Sequence, residues 1–229
     1  MFEYYIVTAI LITISVILYT CRNTSQYPAR IGLLSWMALL LYFPIEILII
    51  SRTTKPYSIM DQAMSDLGVL SCGSNTYPLA LYEICSPLAH EMNIIFILTG
   101  ILIASGAVLV HHFWGSSKWT IAATVLLIIY GLGYTVSGIY PADVNFWAHT
   151  LPSMPSMILQ IPAMFLIARS IRHKWPALAR FTIICMVIST LSLIMIIIGF
   201  PAGLMQRLLY FSVWFWMGIT AIILWRKHK

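Results

Sequence analysis

The sequence predicts an all-α, polytopic transmembrane bundle of seven spans, built as one integral domain over residues 1–229. Three observations carry that prediction. Hydrophobic residues make up 60% of the 229 residues and the mean hydropathy is +0.89, beyond the range of a soluble domain. The apolar runs are about 20 residues long, the length an α-helix needs to cross a hydrocarbon core. Charged residues are only 9% of the chain and fall almost entirely between the runs, so the runs lack the polar face of a soluble helix.

The spans follow in order. Tyr4–Thr20 comes first; no Lys or Arg precedes it and Glu3 is the nearest charge, so it reads as a retained span and not as a secretory leader. Ile31–Ile50 is the second. Pro87–Val110 is the third, with Ser86 as N-cap and Pro87 at the first helical position. Trp119–Ile139, Met154–Ile171, Phe181–Gly199 and Leu208–Trp225 complete the set. Small residues at helical spacing, Gly131, Thr135 and Gly138 on one span and Gly100 and Ala104 on another, predict close helix packing.

Charge gives the orientation. With the N-terminus outside, ten of the thirteen cations lie inside: Arg22, Arg30, Lys118, Arg169, Arg172, Lys174, Arg180, Arg226, Lys227 and Lys229. Arg52, Lys55 and Arg207 lie outside. This is the positive-inside asymmetry of a protein in a cell membrane, with a cytoplasmic C-terminus. It accounts for the net charge of +6. A nucleic-acid partner is excluded, since no basic stripe with interleaved aromatics is present. The acids gather outside: Glu3, Asp61, Asp66, Glu83, Glu91 and Asp143. Glu46, inside the second span, is the exception.

The long outer loop, residues 51–86, is organised. Ser58 precedes Ile59, Met60, Ala63, Met64 and Leu67 at helical spacing, and Ser58 with Asp61 forms a capping pattern. The prediction is a short amphipathic helix at the interface, its polar edge carrying Asp61, Ser65 and Asp66, ended by Gly68 in a left-handed conformation. Cys72 and Cys85 share this loop, where an oxidising compartment would pair them. Cys21 and Cys185 lie elsewhere. His90 and Glu91 open the third span. Glu46 is costly at its depth and expects a partner, for which Arg207 is the candidate.

Three motifs, "MSDLGV", "GIYPADVNFWAH" and "GLMQRLLYFSVWFW", occur in that order between apolar runs. Together they resemble a family of small bacterial and archaeal multi-span membrane proteins known as domain of unknown function 998. The resemblance covers about residues 31–225 and implies a six-span core with an added N-terminal span, in a bacterial cytoplasmic membrane. It singles out Ser65, Asp66, Leu67 and Gly68, then Pro141, Asp143 and His149, then Arg207 and Trp214. It implies no established activity.

The topology gathers Asp66, His90, Glu91, Asp143, His149 and Arg207 on one face, with Glu46 beneath. Three functions compete. The first is a structural or ligand-binding network in which Asp66, Asp143, His149 and Arg207 tie the outer loops together, because buried polar groups must be paired. The second is an enzyme acting on a lipid or lipid-linked substrate. There His149, Asp143 and Asp66 would supply acid–base or metal-assisted chemistry, and Arg207 would bind a phosphate or carboxylate. Ser65 would then be a ligand-binding or nucleophilic group. The third is an ion-coupled transporter using Glu46. Membrane lipids are the expected partners; cofactor, metal content and oligomeric state are not encoded in any motif.

Overall fold

Among the described residues, 26–227, the computed structural model has six helices long and apolar enough to cross a membrane. The expected first span, Tyr4–Thr20, lies outside the described residues, as do Glu3, Cys21 and Arg22. The first described span joins α1 (Gln26–Ala38) to α2 (Tyr42–Ile50) through a 3-10 turn at Leu39–Leu41. Pro44 explains the break: it has no N–H to offer the carbonyl one turn earlier, and its ring crowds that carbonyl. The remaining spans are α3 (Ala89–Val110), α4 (Lys118–Ile139), α5 (Phe146–Ile171), α6 (Pro176–Ile197) and α7 (Ala202–Lys227).

Four spans start five or more residues before their apolar runs do, α1 at Gln26 among them. α5 begins at Phe146 and not at Met154, because Asn145 accepts a bond from the Ala148 amide at 3.0 Å and caps the helix. Pro152, which read as loop, and Pro155, at the start of the expected span, are both carried inside it. The Ser153 and Ser156 hydroxyls donate to the Thr150 and Pro152 carbonyls across that turn, the kind of side-chain support that lets membrane helices hold proline. α6 begins at Pro176, an N1 proline. α7 begins at Ala202, so Gln206 and Arg207 are helical.

The six spans form a closed ring in chain order: α1 packs on α3, α3 on α4, α4 on α5, α5 on α6, α6 on α7, and α7 back on α1. Small residues let α3 and α4 touch, as the spacing predicts. A Cβ on Gly100 would strike Gly131 and Thr135, and one on Gly131 would strike Gly100 and Ala104. Fully buried Trp36, Tyr130, Trp214 and Trp216 fill the interior. Each indole N–H finds a partner: Trp36 the Ile103 carbonyl at 3.3 Å, Trp214 the Tyr130 hydroxyl at 2.7 Å, Trp216 the Thr182 hydroxyl at 2.8 Å. With no water in a bilayer core, an unpaired N–H there would be destabilising.

Residues 51–88 connect α2 to α3 and form a cap over one end of the ring. The expected amphipathic helix is not there. Ser58 and Asp61 do pair, Oγ to Oδ2 at 2.6 Å, and the Gln62 amide reaches the Ser58 carbonyl at 2.9 Å. The turn then stops. Ala63 is extended, and Met64–Gly68 is a 3-10 turn. Ile59 and Met60 are exposed while Met64, Asp66 and Leu67 are buried, so the segment plugs the ring and does not lie on the membrane surface. Gly68 is not left-handed. It is needed because a Cβ would collide with Asn93, whose amide donates to the Gly68 carbonyl at 2.7 Å. Further on, Cys72 and Cys85 are disulfide-bonded. Beside them Gly73 and Ile84 exchange both backbone bonds, at 2.9 and 3.0 Å. Val69, Tyr77, Ala80, Ile84 and Ala142 make a small core of their own.

Candidate functional site

Arg207 stands in the first turns of α7, beneath the cap. Its Nη1 lies 2.9, 2.9 and 3.1 Å from the carbonyls of Ile59, Gln62 and Gly203. Its Nη2 donates to the Tyr57 hydroxyl at 2.5 Å and lies 2.9 Å from Glu46 Oε1 on α2. Glu46 therefore has the partner its depth demands. Gly203 admits this contact, since a Cβ there would meet the Gln62 and Ile59 carbonyls. One guanidinium joins two spans to the cap.

Asp66 has no exposed surface. Its carboxylate accepts from the Tyr77 hydroxyl on one oxygen and from Tyr82 at 2.7 Å on the other. Burial pushes the Asp66 carboxyl above the usual carboxylate range, although both phenols, the Ala63 backbone and Arg207 oppose that shift. Burial likewise raises the Tyr57, Tyr77 and Tyr82 phenols. They are therefore neutral donors at any physiological pH.

Asp143 lies between α4 and α5 and reaches across to the cap. Its Oδ2 accepts from the Leu70 amide at 3.0 Å, the Ser71 amide at 2.9 Å and the Ser71 hydroxyl at 2.8 Å. His149, in the first turns of α5, faces the end of α4. Its Nδ1 is 3.0 Å from the Ser137 carbonyl and 2.9 Å from that of Tyr140, and the Ser137 hydroxyl donates to the His149 carbonyl at 2.7 Å. Carbonyls only accept, so Nδ1 carries the proton and Nε2 is the acceptor.

The four residues expected as one cluster thus share one end of the ring but divide into separate bonded sets. Each is engaged with the cap or with a neighbouring helix. Ser65 and His149 do meet, as two walls of a cavity of about 50 Å³ under the 3-10 plug. Ser137, Ser153, Gln206 and Tyr210 also line it, with Phe96 and Met157 as apolar wall. Gln206 uses Oε1 to accept from the Met64 amide at 2.9 Å, which leaves its amide N–H groups as donors. His90 and Glu91 are exposed on the first turn of α3 and line no part of this cavity. Among the described residues no three His, Cys, Asp or Glu side chains gather as a set that could hold a metal.

The residues missing from the sequence reading are the tyrosines and Gln206. Three tyrosines in one acid-bearing loop were a readable signal of neutral donors for a buried carboxylate. Gln206 carried none beyond its place beside Arg207. No curated protein and no solved structure matches the chain. A family model matches residues 36–223, which takes in all three motifs and four of the six described spans whole, with most of the first and last. The chain belongs to the family described as protein of unknown function (DUF998).

Proposed function

We propose that this integral membrane protein uses its capped-end charges as a lock, which fastens the cap onto the ring and shapes a small polar ligand cavity behind it. One observation supports this most. Asp143 bonds the cap to the α4–α5 connection, Arg207 bonds it to α7, Asp66 ties the cap to itself, and Glu46 holds Arg207 in place from α2. The cavity has room for one or two water-sized groups, too small for a lipid head group and chains together. The positive-inside rule puts the capped end outside and the C-terminus in the cytoplasm. The basic end holds Arg30, Lys118, Arg169, Arg172, Lys174, Arg180, Arg226 and Lys227 without one acid among the described residues. Bacterial cytoplasmic membrane is the setting that the family resemblance suggests.

The test compares Asp143→Ala and Arg207→Met with His149→Gln in purified protein. The lock predicts a large loss of thermal stability and of protease resistance in the cap for Arg207→Met, a smaller loss of both for Asp143→Ala, and none for His149→Gln. Stable, cap-protected Asp143 and Arg207 variants would overturn it.

A second reading, acid–base chemistry on a small group, is favoured by His149. Its tautomer is fixed by two backbone carbonyls, its Nε2 is the free base, and Ser65 shares its cavity. Under that reading His149→Gln abolishes a chemical activity while leaving stability unchanged. Transport is supported least: Glu46 is paired with Arg207, and the interior is filled by Trp36, Trp214 and Trp216.

A further inference from the structure

The end of the ring opposite the cap carries a groove of about 990 Å³ between α5 and α6. Its floor is apolar, made by Phe165, Ala168, Ile183 and Ile184, and three arginines, Arg169, Arg172 and Arg180, stand on its rim. We propose that it binds one anionic glycerophospholipid, with acyl chain along the floor and phosphate against the arginines.

Charge complementarity selects that occupant. All three arginines are exposed, and among the described residues none has an acidic partner; the two ion pairs there are Lys55–Glu83 and Arg207–Glu46. Arg172 Nε instead donates to His173 Nε2 at 3.0 Å. Guanidinium forks match phosphate oxygens in pairs, and basic pockets between membrane helices are recurrent sites for phosphate-bearing head groups. The N-terminus of α6 adds a second attraction. Pro176 lines the groove, and Trp175 before it gives no side-chain cap, so first-turn N–H groups are left to an anion. A neutral, purely apolar occupant would leave these cations unanswered. Helix α6 is also the least buried span of the ring, so the groove opens directly to lipid.

The test is native mass spectrometry and lipid titration of the full chain in detergent, with phosphatidylglycerol and phosphatidylcholine as probes. Phosphatidylglycerol should be retained and phosphatidylcholine not. Arg169→Gln, Arg172→Gln and Arg180→Gln should each weaken retention about fivefold, and all three together on the order of 100-fold. Arg52→Gln, at the capped end, should leave it unchanged. Should the triple variant not fold, the single replacements decide. Equal retention of both lipids, or unchanged retention in the arginine variants, overturns the proposal. Displacement of phosphatidylglycerol by millimolar inorganic phosphate also overturns it, because the site would then be one for free phosphate.

Discussion

Replacing Arg207 by methionine keeps the bulk of the side chain and removes its charge and all its donors. The consequences can be worked from the contacts. Glu46, 3% exposed, loses its one cationic partner, and breaking a buried pair from one side costs about 3–5 kcal/mol. The Ile59 and Gln62 carbonyls lose a donor, at about 1 kcal/mol each when water cannot reach them. A total near 4 kcal/mol is therefore a low estimate. For a domain of this size it lowers the melting temperature by about 8–16 °C. Adding Glu46→Gln removes the stranded charge, so the double variant should be more stable than Arg207→Met alone, by about 2 kcal/mol. Intrinsic tryptophan fluorescence of purified protein during a thermal ramp reads both. A double variant no more stable than the single one would refute the pairing as the source of the stability.

Asp66 predicts a pH dependence. Its folded pKa is raised above the unfolded value of about 3.9, so its contribution is complete below that value and is lost as pH rises through the folded pKa. Asp66→Asn should gain melting temperature relative to the native protein between pH 4 and pH 8; a difference that stays constant with pH contradicts this. Replacing Cys72 and Cys85 by serine should destabilise the cap by about 3 kcal/mol for a closed loop of this length, seen as faster proteolysis within residues 51–88 while the helices stay intact. Asp143→Ala should cost about 1–2 kcal/mol, because three bonds are lost at a partly exposed site. Its sharpest signature is faster hydrogen exchange centred on Leu70 and Ser71.

How much of this could be read beforehand depends on what each residue's partner is. Glu46 and Arg207 were legible because a charge inside a span demands an opposite charge, and few cations were on that side. Cys72 and Cys85 were legible for a similar reason, being two thiols in one loop. Asp143 was not, since two of its three bonds come from the backbone amides of Leu70 and Ser71, which no side-chain pattern encodes. The same holds for His149, whose partners are the carbonyls at the end of α4. The early start of α5 was hidden by Pro152, whose local preference is overruled by membrane packing and nearby serines. The 58–68 segment misled through its periodicity. Met64 and Leu67 do face inward, but they do so from a 3-10 turn, and Ile59 and Met60 face out.

The central claim is that the charges of the capped end hold residues 51–88 onto the ring. Hydrogen exchange of the cap tests it most directly, with the Leu70, Ser71, Gly73 and Ile84 amides as reporters. The account predicts strong protection in the native protein and its loss in Arg207→Met under conditions where the spans stay protected. Free exchange of those amides in the native protein, or protection unchanged in the variant, would contradict it.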